Sequence, residues 1–310
     1  MTNGRIDTHV HQIGPRYLEA ITPPGGPAPA LATATRAGIE AMMRDYGIEA
    51  AVISIGPPGA PGPDQARRNA VARVANEELA EMRDSAPDRF AGLALLPLPD
   101  PDAALAEIDY ALDELKLDGV TLLSNVDGIY LGDARWDAVF AELDRRGAYV
   151  FLHPAPAASP PPLLQSHPVW LYEFPFDTTR ALASMIYSGT LDRCRRLRLQ
   201  VAHLGGTAPF LAHRIASLAD REPERARLAP AGAIEYLRGL FYDTGLSNHK
   251  LALQTTRELV GLERIVFGTD WPYAALPASG DPAPELQFLS EQERQAVDRT
   301  NALALVPRWA

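Results

Sequence analysis

Apolar positions along the chain keep two periods that take turns. Short runs dense in Val, Ile, Leu and Phe read as strands: RIDTHVH (5–11), AAVISI (50–55), FAGLALLP (90–97), GVTLLS (119–124), AYVFLHP (148–154), LRLQVAHLG (197–205), LFYDTGL (240–246) and RIVFGTDWP (264–272). Between them, apolar residues recur at helical spacing. TRAGIEAMMRDYG (35–47) ends at a glycine, ARRNAVARVANEELAEMRDSA (66–86) precedes Pro87, and PDAALAEIDYALDELK (101–116) starts at a proline, as first helical turns often do. ARWDAVFAELDRRG (134–147) and TTRALASMIYSGTL (178–191) follow, and SEQERQAVDRTNALALV (290–306) predicts a terminal helix. Eight strands alternating with helices over about 300 residues predict an α/β fold, a (β/α)8 TIM barrel, as one domain over residues 1–310.

Proline clusters refine this picture by position. TPPGGPAPA (22–30), GPPGAPGP (56–63), PAPAASPPP (154–162) and PASGDPAP (277–284) each come after a predicted strand. In a parallel barrel those connections form the catalytic face, and proline stiffens them without secondary structure.

Composition narrows the partners. The chain is 46% apolar, enough for a large core, and has no apolar run near 18 residues. The opening MTNGRID lacks a charged region followed by an apolar stretch, so no secretory signal is expected. Cys194 is the only cysteine, which excludes an internal disulfide and fits a cytoplasmic protein. A formal charge of −10 without a basic block makes nucleic acid and anionic membrane poor partners.

The chemistry-bearing residues gather at strand ends. His9 and His11 are two apart in the first run, so on a strand they share a face, and by the same alternation they share it with Asp7. His153 closes the fifth run, His203 the sixth and Asp270 the eighth. Imidazoles and a carboxylate suit Zn²⁺ or another borderline divalent ion. Three neutral histidines and one aspartate would leave a divalent ion at net +1, open to water or an anionic ligand. The other histidines read differently. His213 falls in a helical stretch, His167 precedes Pro168, and His249 lies just past the seventh run, within reach of a substrate at the rim.

In order along nearly the whole chain, these motifs resemble the amidohydrolase superfamily, in particular the decarboxylase branch typified by aminocarboxymuconate-semialdehyde decarboxylase. The motifs are D-x-H-x-H (Asp7, His9, His11), H-P (His153, Pro154), H-x-G-G (His203, Gly205, Gly206) and G-T-D (Gly268, Thr269, Asp270). EFPFDTTRA (173–181), HLGGTAPFLAHRI (203–215) and FYDTGLS (241–247) are similar to 6-methylsalicylate decarboxylases within that branch. The resemblance implies one divalent metal, Zn²⁺ or alternatively Mn²⁺, on His9, His11, His153 and Asp270, with His203 holding bound water or moving a proton. Binuclear members bridge two metals with a carboxylated lysine at the end of strand four. Here that run is GVTLLSN, and the only lysines are Lys116 and Lys250.

The resemblance also implies an aromatic substrate contact at Trp170, in WLYEFP, and another at Tyr273, three residues after Asp270. For both residues, core packing is the alternative. Arg16 lies in the loop where relatives grip a carboxylate, but its surroundings do not match, and the role is not carried over. The expected reaction is non-oxidative decarboxylation of a small anionic ortho-hydroxybenzoate-type acid, with Asp270 and His203 as catalytic residues. The same residues could instead hydrolyse a lactone or amide. A homodimer is expected by resemblance.

Overall fold

Eight parallel strands surround a common axis in chain order. They are β1 (Arg5–His11), β2 (Ile48–Ser54), β3 (Phe90–Leu95), β4 (Gly119–Leu123), β5 (Tyr149–His153), β6 (Arg198–Val201), β7 (Phe241–Asp243) and β8 (Ile265–Val266). The computed structural model describes residues 4–23, 25–156, 167–278 and 280–310. Closure runs between β1 and the segment after β8. Val10 bridges Trp271 in parallel, and His11 N–H donates to the Trp271 carbonyl, and Asp270 N–H to the His9 carbonyl, each at 2.9 Å. The barrel is the predicted (β/α)8 architecture.

Two apolar layers follow from strand alternation. Ile6, Val52, Leu93, Tyr149, Phe151, Phe241 and Val266 fill the interior, and Ala302, Leu305 and Val306 plug its lower end. The intervening residues, among them Val10, Ile53, Ala94 and Leu152, face outward against helices through Ile39, Val71, Leu79, Ile108 and Leu182. A filled interior leaves chemistry only the rim, where Phe151 forms the floor beneath His9, ring centroids 4.8 Å apart.

Several elements depart from the sequence reading. A helix over Pro15–Ile21, begun by proline, precedes the proline-rich stretch after β1. Its first N–H groups are taken by the Glu78 carboxylate, which accepts from Arg16 N at 3.1 Å and Tyr17 N at 2.8 Å. The helix expected at 178–191 spans Glu173–Tyr187, because Pro175 falls in its first turn, where a missing N–H costs nothing. Gly189, at φ +77°, then starts a separate turn, Thr190–Arg193. The terminal helix ends at Asp298, where Arg299 adopts φ −146°, and continues as the 3₁₀ turns that plug the barrel. The last predicted strand, 264–272, is a continuous strand only at Ile265–Val266, paired with β7, and past Phe267 it meets β1 through the single Trp271 bridge. Of the stretch 154–162, residues 157–162 lie outside the described residues. Among the described residues no helix is long and apolar enough to cross a membrane.

Candidate active site

His9 and His11 reach the barrel mouth through an irregularity. Asp7 pairs with Ala51 but Val10 with Ile53, so β1 carries one extra residue between them. The bulge corrects the expectation that Asp7 shares the histidine face. Ile6 joins the interior cluster instead, and Asp7 is tied to the turn after β8. Its carboxylate accepts from Thr269 N at 3.0 Å, Thr269 Oγ1 at 2.7 Å and His9 N at 3.1 Å. Complete burial pushes its pKa up to about 7 against those donors.

Four side chains converge above Phe151. One ligand atom each from His9, His11, His153 and Asp270 lies within 4.8 Å of the others, and all four residues are buried. Asp270 Oδ1 sits 3.2 Å from His9 Nε2 and 3.0 Å from His11 Nε2, and the two Nε2 atoms are 3.2 Å apart. His203 Nε2 donates to the other oxygen, Oδ2, at 3.2 Å.

The orientation of each ring is settled from behind. His9 Nδ1–H donates to Asp243 Oδ1 at 3.1 Å, so its Nε2 lone pair points at the cluster. His153 Nδ1–H donates to the Pro154 carbonyl at 2.7 Å, which leaves a buried Nε2 with no partner among the described residues. His11 packs against Gly56, where an added Cβ would lie 2.8 Å from the ring. Lone pairs aimed at one another and at a carboxylate repel unless a cation lies between them. Metal-free, a proton takes that place. Burial opposes charge on His9, but Asp243 and Asp270 outweigh it and hold its pKa at about 10. Burial, with the neighbouring imidazoles, holds His153 well below the ordinary value, and burial likewise lowers His11, so both stay neutral as ligands must. Burial would raise Asp270, yet His9 and hydrogen bonds from His11 and His203 keep it well below the usual carboxylate range. Three nitrogens and one oxygen, with an orphaned imidazole nitrogen among them, form a site for one divalent ion.

Two site residues adopt left-handed backbone. Asp270 has φ +61° and His203 φ +56°, conformations tolerated by Asp and His but uncommon outside glycine. After His203, Leu204, Gly205 and Gly206 also have positive φ. Only glycine fits at 206, where a Cβ would stand 2.2 Å from the Pro175 carbonyl oxygen. The H-x-G-G turn is thereby clamped onto the helix that begins at Glu173.

A family model for amidohydrolases matches residues 6–308. This chain belongs to the amidohydrolase family. A 6-methylsalicylic acid decarboxylase of Penicillium expansum is 31% identical to this amidohydrolase, over 98% of this chain and 96% of its own. A gamma-resorcylate decarboxylase of Rhodococcus jostii is 30% identical over 85% of each chain. The crystal structure of 2,6-dihydroxybenzoate decarboxylase from Rhizobium shares the fold, with a TM-score of 0.83 at 23% identity over 99% of this chain and 100% of that one.

The remaining residues named from sequence fall in different places around this amidohydrolase site. The Tyr273 ring stands edge-on to His11, centroids 5.5 Å apart, and is 43% exposed. Trp170 is 58% exposed, and it is Phe174 of the same segment that comes against His153, at 6.3 Å. His249 caps the helix Lys250–Val260, accepting from Leu251 N at 3.3 Å. His213 and His167 are exposed. Arg16 pairs with Glu81 at 2.6 Å and Glu78 at 3.6 Å, and Arg180 lies 3.6 Å from Glu173 and 3.7 Å from Asp177.

Sequence reasoning missed Asp243. Its Oδ1 accepts from His9 Nδ1, from His203 N at 3.1 Å and from Gly245 N at 3.0 Å, and its Oδ2 from Gln200 Nε2 at 2.7 Å. Its position at the end of β7, in FYDTGL, was the available signal.

Proposed function

We propose that this chain is a metal-dependent non-oxidative decarboxylase, a carbon–carbon lyase acting on a small ortho-hydroxybenzoate-type acid. The observation that carries the reading is the convergence of His9, His11, His153 and Asp270, with His203 on the far oxygen of Asp270. The relatives named as decarboxylases of 6-methylsalicylic acid and gamma-resorcylate support the substrate class. A bound divalent ion supplies a fixed positive charge for the acid's carboxylate and neighbouring oxygen, and the N3O donor set suits Zn²⁺ ahead of Mn²⁺.

The chain's own groups do the rest. Phe174 beside His153 and Tyr273 beside His11 supply apolar edges between which a flat ring is oriented and water is excluded. Asp270 delivers a proton to the ring carbon that bears the carboxylate. The bond from that carbon to the carboxyl group then breaks, its electron pair restores the aromatic ring, and CO2 leaves. His203, donating to Asp270 Oδ2, returns a proton to the carboxylate for the next turnover. Because the low pKa of Asp270 makes it a reluctant donor in the resting site, delivery requires substrate to loosen its contacts with His9 and His11.

The reading extends to one domain over residues 1–310, in a reducing cytoplasm compatible with the single, buried Cys194. It also extends to a homodimer that covers Trp170, Leu171, Phe210 and Leu251, all exposed on segments that follow β5 to β7. Trp170 contacts the substrate in this reading, and His249 stands at the rim.

The test is CO2 release by zinc- or manganese-loaded protein from 6-methylsalicylate, salicylate, 2,6-dihydroxybenzoate and aminocarboxymuconate semialdehyde. Turnover of at least one acid, abolished in Asp270→Asn, is expected. Silence across the panel with one metal bound per chain refutes the reading and favours hydrolysis of a lactone or amide.

A further inference from the structure

A cavity of about 770 Å³ is lined by neighbours of the ligand residues in sequence or register, and by none of the four ligands themselves. It opens between the connections after β1, β2, β3, β4 and β5. Its walls adjoin the ligands. Pro57 and Pro58 follow Gly56, which packs on the His11 ring, and Leu123 is the register partner of His153. Ala155, another wall residue, is two positions beyond His153.

The chemistry of the lining is one-sided. Ala60, Leu95, Leu98 and Leu123 stand with the prolines, and the polar groups among them are already engaged. Arg68 donates to the Leu98 carbonyl at 3.2 Å and to Asp127 at 2.9 Å, and Asn125 donates to Asp177 at 2.8 Å. The exception is Thr121, 2% exposed, whose Oγ1 has no partner among the described residues. A cavity of this size is in the range that takes a drug-sized ligand, far more than one benzoate ring requires. Affinity here must come from apolar area, with one hydroxyl left to meet a polar atom on the ring.

We infer that this cavity is a substituent pocket, and that the preferred substrate is an ortho-hydroxybenzoate carrying an extended apolar chain on the ring edge turned away from the metal. The inference rests on the decarboxylase reading for the reaction, but the pocket is testable without turnover. The carboxylate and ortho oxygen face the cluster, and the chain runs along the apolar wall of Leu95, Leu98 and Leu123.

The experiment uses metal-loaded protein and two independent readouts. Dissociation constants are measured for 3-alkylphenols from methyl to pentyl, the products expected from 4-alkylsalicylates, and CO2 release is measured from the corresponding acids. Each buried methylene is expected to tighten binding about fourfold. Ala60→Leu should end that gain at a shorter chain, and Leu123→Phe narrows the same cavity should the first variant fail to fold. A flat series from methyl to pentyl overturns the pocket, as does a rising series that neither plug alters. CO2 release decides the reaction separately. A rising series without CO2 keeps the pocket and rejects the decarboxylase, and a flat series with CO2 does the reverse.

Discussion

Replacing Asp243 with asparagine keeps the shape of the side chain and removes its charge. The carboxylate meets four N–H donors, three on Oδ1 from His9, His203 and Gly245 and one on Oδ2 from Gln200. Asparagine has one acceptor oxygen. If that oxygen faces the three donors, its NH2 group confronts Gln200 Nε2 at 2.7 Å. A flip of the Gln200 amide relieves the clash. Its oxygen then accepts from the asparagine and its nitrogen turns to the Tyr149 hydroxyl, now 2.5 Å from Oε1, at the cost of the 3.3 Å bond to the Thr8 carbonyl. The fold therefore survives. What is lost is a charged acceptor behind His9, about 1–2 kcal/mol of the difference between charged and neutral hydrogen bonds. That loss weakens metal binding about 5–30-fold, overlapping the roughly 10–100-fold range seen when partners behind a ligand are altered. Chelator competition at pH 7.5 measures the metal dissociation constant, and urea unfolding of the metal-free protein serves as the control. A constant within twofold of the parent protein refutes the argument that Asp243 acts through His9.

Gly206→Ala sets a Cβ 2.2 Å from the Pro175 oxygen at φ +64°. It should cost about 3 kcal/mol and lower Tm by roughly 5 °C in calorimetry. An unchanged Tm would show that the turn repacks freely. Stripping the metal should lower Tm, and adding zinc should restore it, by about 4 kcal/mol of linkage at a thousandfold excess over Kd. Glu142, bonded to Arg145 and Arg146, has its pKa lowered to about 2 from 4.5, with burial opposing the shift. A depressed folded-state value stabilises above pH 4.5, and the gain fades as pH falls toward 2. Glu142→Gln should therefore destabilise by about 1 kcal/mol at neutral pH and by almost nothing near pH 2, read by urea unfolding at both; a pH-independent effect would sink the pairing argument.

The eight-strand alternation, the filled barrel and the gathering of His9, His11, His153, His203 and Asp270 at the rim were legible because each rests on local periodicity. Strand period places side chains on a face, and parallel βα order places strand ends on one rim. The helix Gln65–Ser85, with Asp64 accepting from Arg67 N, shows the same legibility, since its cap and apolar stripe lie within its own residues. The extra residue in β1 was not legible, and it is what turns Asp7 to Thr269 while His9 and His11 point inward. Strand pairing in register with β2 decides that bulge, and no single strand contains the information. The left-handed backbone at His203 and Asp270, and the role of Asp243, were hidden for the same reason. Residue type and spacing thus determined which side chains reach the rim. Only the closed barrel decided which of them point at one another, because hydrogen bonds between residues more than 200 positions apart, such as His9 with Asp243, set the rings.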